Sequence, residues 1–149
     1  HWHDYEDHAR SIGNQRYKLI RNTYNDLPTT PSADAGRSLT WQAMLKLKKA
    51  NKLTAIQQAC FNAPRPKFEL YDLEKDPNEM NNLVGNPAYQ EVHDRLKKAM
   101  DAWYVKTGDY IPSKRTPDEF DRVTGEPDHS VRKRPRPSKT DMFGTDGRY

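Results

Sequence analysis

"FELYDLEKDPNEMNNLVGNP", residues 68–87, decides how this chain folds. Its first third alternates: Phe68 and Leu70 fall on one side of an extended segment, Tyr71 and Leu73 on the other, as a strand requires. Asp76 then reads as the cap of a turn. Pro77 takes the first position, where a missing N–H costs nothing, and Glu79 stands three residues after the cap as a capping-box partner. Asn86-Pro87 repeats the signal at the head of the longest helical pattern, "PAYQEVHDRLKKAMDAWYVKT". In that pattern Tyr89, Val92, Leu96, Ala99, Met100 and Trp103 form one apolar stripe. Arg95, Lys97, Lys98 and Asp101 take the polar side, and Gly108 stops the helix. The turn sets the direction in which the chain leaves the strand and enters the helix. It thereby decides which sheet face stays open.

Upstream, "HARSIGNQRYKLIRNTY" reads as a β-hairpin with Gly13-Asn14 at a turn that tolerates positive φ. Tyr17, Leu19 and Arg21 face one way, and Lys18 and Ile20 the other. "NDLPTTPSADAGRS" is a loop broken by Pro28 and Pro31, long enough to cover something. "LTWQAMLKLKKANKLTAIQQACF" predicts two short helices capped by Thr40 and Thr54. Trp41, Met44, Leu45 and the stem of Lys48 share one face, and Ile56, Ala59 and Cys60 another. The fold class that follows is α+β. A small antiparallel sheet of three or four strands carries the long helix across one face, and a Pro-rich, basic, irregular tail from Asp109 follows. The sheet's other face must be wet or meet another domain.

Composition supports a thin core. Hydrophobic residues make up 34% of the 149, below the roughly 45–50% usual in globular domains, and the mean hydropathy is -1.14. So little apolar material implies a partner for burial, an irregular portion, or both. The formal charge of +4 sits in the tail: "VRKRPRPSK" carries five cations, and without them the chain is at -1. Such a run can hold a polyanion or lie solvated. One cysteine rules out an internal disulfide framework and a Cys-rich zinc site. No apolar run approaches the ~20 residues of a membrane span. No signal peptide opens the chain. It starts without methionine at "HWHDYEDH" and reads as a segment from the middle of a longer polypeptide.

Chemistry-bearing residues concentrate in that opening, with three histidines and three acids in eight residues. The spacing matches no strong metal signature such as HExxH. The histidines therefore stand either as solvated or structural groups, or as part of a pocket completed by preceding residues. Cys60 lies beside Phe61 on the apolar side of a short helix, where a cysteine is expected to pack in a core. No Gly-rich phosphate loop and no GxSxG elbow is present. The aromatics Tyr71, Tyr89, Trp103 and Tyr104 lack the interleaved Lys and Arg of a nucleic-acid sheet, which argues against nucleic acid.

"RYKLIRN" at 16–22, "WQAMLKLKKANKL" at 41–53 and "PRPKFELYDLEKDPNEMNNL" at 64–83 together resemble the C-terminal region of sulfatases, members of the alkaline phosphatase superfamily. The similarity is greatest to bacterial enzymes related to heparan N-sulfatase. The "ELYDLxxDPxExNNL" element is the most specific piece. The resemblance spans about residues 1–107 and leaves the tail uncovered. It implies a C-terminal subdomain over 1–108, beginning at the junction with an upstream catalytic domain, and an extension over 109–149. It also implies hydrolysis of sulfate esters or N-sulfates of a sugar, by a formylglycine nucleophile and a calcium ion that both lie upstream. This chain alone would then be inactive, and the whole protein periplasmic or secreted. Formylglycine is made in a C/S-x-P-x-R motif. At Cys60 the sequence has Asn62 in place of the proline and Pro64 in place of the arginine, so Cys60 is not that nucleophile. In related sulfatases the segment matching "HWHDYEDHAR" lies near the substrate pocket, which marks His3 and Asp4, then His1 and Arg10, as substrate contacts. Gly13-Asn14 departs from the family, where Arg-Thr is expected. The alternative reading is a non-catalytic module whose basic tail binds an anionic glycan or nucleic acid.

Overall fold

The computed structural model describes residues 6–112 and 115–130. Strands β1 (Ala9–Gly13), β2 (Tyr17–Asn22) and β3 (Phe68–Asp72) form an antiparallel sheet in the order β1-β2-β3. Helices α1 (Leu39–Lys49) and α2 (Ala55–Ala59) lie between β2 and β3, and α3 (Gln90–Thr107) follows β3. The expected α+β architecture is therefore present, with three strands and the long helix packed on β1 and β2.

Register explains the core. Leu19 pairs with Leu70 across β2 and β3, and with Ile12 across β1 and β2. Directly opposed residues share a face, so these three point together at the helix. Leu19 and Leu70 are wholly buried and meet Leu96 and Met100 of α3, flanked by Tyr17, Phe68, Tyr89, Val92 and Tyr104. Each fully buried leucine stabilises this sandwich by about 1.5–3 kcal/mol. The helical stripe differs from expectation at two positions. Ala99 is exposed and Trp103 is 46% exposed, while Tyr104, four residues beyond Met100, continues the contact. The stripe steps by four at its C-terminal end, which turns Ala99 and Trp103 to its margin. Gly108 ends the helix at φ 65, the left-handed position that glycine favours.

The hairpin forms where predicted, by a different turn. Neither Gly13 nor Asn14 takes a positive φ. The Asn14 carboxamide oxygen instead accepts from the N–H groups of Arg16 (2.9 Å) and Tyr17 (2.7 Å). Gly13 is required for space, because a Cβ there would stand 2.7 Å from the Tyr17 carbonyl oxygen. The helix caps also shift. Ser38, not Thr40, caps α1 by accepting from Trp41 N–H, and Thr54 caps α2 in a capping box with Gln57. Trp41 stacks on Phe61 at 4.8 Å and Lys48 lies over the same ring. Ile56 and Ala59 are exposed and Cys60 is only partly buried. The five residues of α2 are too few to bury a face, so Phe61 supplies the contact instead.

The stretch 73–86 corrects the capping-box reading. No helix starts at Asp76. Its carboxylate accepts from the N–H groups of Met80 and Asn81, both at 2.7 Å. Glu79 adopts φ 56 and pairs with Lys18 across the sheet's second face. The following asparagine completes the sheet. Asn82 Oδ1 accepts from Leu70 N–H at 3.0 Å, its Nδ2 donates to the Phe68 carbonyl at 3.1 Å, and Leu83 N–H donates to the Leu70 carbonyl. The outer edge of β3 is thereby hydrogen-bonded like an inner strand, which removes an aggregation-prone edge. Asn86 then caps a single 3-10 turn, Pro87–Tyr89, that leads into α3. The second sheet face is neither bare nor greasy. Lys18 meets Glu79, Asn22 and Tyr71 both donate to Glu69, and Tyr71 is buried.

Candidate functional site

The segment Glu6 to Arg10 takes in the end of the histidine-rich opening, and Glu6, Asp7, His8 and Arg10 are each pinned by distant parts of the chain. His1, His3 and Asp4 lie outside the described residues. Arg10, on β1, turns its guanidinium onto Asp109: Nε donates to Oδ2 at 2.7 Å and a terminal nitrogen to Oδ1 at 3.0 Å. The same nitrogen lies 3.2 Å from His8 Nε2, and Arg10 also donates to the Ala9 carbonyl. Because arginine can only donate, His8 Nε2 accepts. His8 Nδ1 then carries the proton and donates to Thr23 Oγ1 at 3.1 Å. Thr23 N–H returns a bond to the His8 carbonyl at 3.0 Å. His8 is therefore a buried, satisfied ring.

Asp7 is held by Arg65, which is buried and also donates to Thr29 Oγ1. Arg65 stands six residues after the end of α2, between Pro64 and Pro66. Glu6 is held from three sides. Tyr24 hydroxyl and Thr116 N–H donate to its carboxylate, and Arg122 donates to its carbonyl at 2.8 Å. Arg122 is in turn fixed by Asp118 through a bidentate pair at 2.6 and 2.9 Å, with Arg115 on the same carboxylate.

Electrostatics follow this geometry. Hydrogen bonds from Thr116, side chain before backbone, hold the Glu6 carboxyl below its ordinary range. Arg10 does the same for Asp109 by hydrogen bonding, and Asp109 raises Arg10 in return. Burial, followed by the bond to Glu6, pushes the Tyr24 hydroxyl up. Glu6, Asp109 and Arg10 are thus charges stabilised by hydrogen-bonded partners, while Tyr24 stays neutral. A shallow cavity of about 190 Å³ lies beside them, lined by Arg10, Ser11, Ile12, Met100 and Trp103.

Cys60 closes the short helix α2 outside any C/S-x-P-x-R context. Among the described residues no group of three or more His, Cys, Asp or Glu is placed to hold a metal. The carboxylates Asp72, Asp109 and Asp118 face arginines. Sequence reading had singled out Arg10 but not Asp109, Thr23, Arg65 or Arg122. Their separations from the segment they hold run from 15 to 116 residues, and no local pattern signals them.

Comparison with known proteins places these residues in context. Residues 44–106 match the family described as N-sulphoglucosamine sulphohydrolase, C-terminal. An ulvan-active sulfatase of Formosa agariphila is 35% identical over 104 residues, which cover 69% of this chain and 17% of that protein. A second ulvan-active sulfatase of the same organism is 32% identical over 103 residues, 69% of this chain and 18% of that protein. Human N-sulphoglucosamine sulphohydrolase is 27% identical over 101 residues, 67% of this chain and 20% of that protein. The match thus spans about a fifth or less of each relative's length.

Proposed function

This chain contains a sulfatase C-terminal region, and from that premise we propose that it completes an enzyme hydrolysing sulfate esters or N-sulfates of a sugar. The single supporting observation is the family match over residues 44–106, which takes in part of α1, all of α2 and β3, and nearly all of α3. In this reading the bond-breaking machinery, with its formylglycine and calcium ion, belongs to a preceding catalytic domain. This chain supplies scaffold and one wall of the substrate pocket. His3 and Asp4, with His1 beside them, contact the sugar by hydrogen bonds. Arg10 is the fourth contact in this reading, its guanidinium oriented by Asp109 and His8. The names of the relatives point to sulfated sugars as the substrate class, and the working compartment is the periplasm or the cell exterior. Among the described residues no helix is long and apolar enough to cross a membrane.

The role of this chain in the reaction is to bind and orient. Sulfatase specificity would then depend on groups outside the reacting centre, whose loss raises KM more than it lowers kcat. The test uses two proteins, this chain alone and the same chain joined to its preceding domain. The joined protein should turn over an aryl sulfate and a sulfated disaccharide, and the chain alone neither. In the joined protein His3→Ala and Asp4→Ala should raise KM for the disaccharide about tenfold, the effect of losing ~1.4 kcal/mol of binding, with the aryl sulfate little changed. Turnover by the chain alone would remove this reading.

A further inference from the structure

The family match ends at residue 106, yet the residues beyond it make some of the most specific contacts of the molecule. Residues 119–128 form a small closed turn. Phe120 bridges to Pro127, Asp121 N–H donates to the Glu126 carbonyl, and Asp128 N–H donates to the Glu119 carbonyl. The Asp121 carboxylate accepts from the N–H groups of Val123 and Thr124 and from the Thr124 hydroxyl. Gly125, at φ 75, sits so close to the loop before α1 that a Cβ would stand 3.3 Å from the Ala33 carbonyl oxygen. Trp41 Nε1 donates to the Val123 carbonyl at 2.8 Å. This turn is therefore fixed to α1 on one side. On its other side it presents Arg122, oriented by Asp118, to the Glu6 carbonyl. Thr116 and Asp109 add bonds to Glu6 and Arg10.

We propose that Asp109 and residues 115–130 act as a clamp that positions the N-terminal segment for substrate recognition, with Arg122 as the principal positioning residue. The inference rests on the reading that His3 and Asp4 contact the sugar, since Glu6 follows Asp4 by two residues. A bond to a backbone carbonyl fixes the path of the chain itself, and a guanidinium held by its own carboxylate loses little further freedom in making it. The clamp's bonds to Glu6 and Arg10, with Arg65 on Asp7 as a third anchor from outside it, fix both the position and the direction of the segment. One anchor would leave it free to swing.

The experiment uses the protein joined to its preceding domain, in wild-type form and as Arg122→Ala. Amide exchange at Thr23, whose N–H donates to the His8 carbonyl, should accelerate about tenfold when a charged hydrogen bond of this kind is lost. KM for a sulfated disaccharide should rise about fivefold or more with kcat within about twofold, and aryl sulfate kinetics should stay unchanged, as expected for a lost positioning contact. Arg122→Lys, which keeps the charge but not the fork, should recover part of the KM. Should Arg122→Ala fail to fold, Asp118→Asn loosens the same guanidinium more gently and should give the same split in smaller measure. Unchanged exchange at Thr23 overturns the clamp. Faster exchange with unchanged disaccharide KM overturns its positioning role. If the wild-type protein hydrolyses neither substrate, the sulfatase reading falls and the positioning role with it, while the exchange result still decides whether the clamp exists.

Discussion

Leu19, Leu70, Leu96 and Met100 meet between the sheet and α3 through apolar side chains, whereas Glu6 to Arg10 are held by hydrogen bonds and ion pairs to Arg122, Arg65, Thr23 and Asp109. The first region is non-directional and tolerant. Any apolar side chain of the right volume stabilises it in rough proportion to buried area. The second is directional, because each bond requires a donor and an acceptor at set positions and an unmatched buried partner is costly. The sandwich therefore supplies stability, and the polar junction supplies a defined geometry. A protein that must aim a few side chains at a substrate needs the second kind of contact where it aims and the first kind everywhere else.

That contrast can be broken by substitution. Leu70→Ala, at a wholly buried site, should cost about 2–5 kcal/mol, seen as a lower denaturation midpoint for the whole sheet. A loss no larger than that of a junction variant would erase the distinction. Asn82→Ala should cost about 1 kcal/mol by leaving the outer edge of β3 without its side-chain partners. Its distinguishing signature is faster amide exchange at Leu70 with little change at Thr23. Acid should produce the smallest and most local effect. Glu6 and Asp109 have folded-state values below their ordinary ones, so their contribution is complete above the unfolded carboxyl range of about 4. It is lost as pH falls through the lowered folded values. Exchange at Thr23 should therefore rise with acidification below about pH 4 before the core of Leu19 and Leu70 opens. Simultaneous opening of both regions would show that they form one cooperative unit.

How much of this was legible in the residues depended on range. The alternation of Tyr17, Leu19 and Arg21 and the spacing of Tyr89, Val92, Leu96 and Met100 are local periodicities, and both reappear in the burial of the sheet and helix. Errors arose where a local motif competed with a distant partner. Asp76, Pro77 and Glu79 have the residues of a capping box, yet Glu79 bonds Lys18, 61 positions away, and takes a backbone conformation no helix start allows. No local pattern marks Asn82, because its role, completing the edge of β3, exists only once the strand is formed. Trp103 fitted the helical stripe by spacing, but the stripe steps by four from Met100 to Tyr104, which makes the contact instead. The basic run at 132–139 and the residues His1, His3 and Asp4 fall outside the described residues.

Periodicity of apolar and polar residues was enough by itself to establish an α+β chain, its hairpin, its third strand and its capped long helix, because these depend on neighbours within a few positions. The tertiary structure alone decided which carboxylate meets which arginine, how the edge of β3 is closed, and that residues past the long helix return to hold the N-terminal segment. Those pairings join positions up to 116 apart, and a short-range force can select among them only after folding has brought the candidates together.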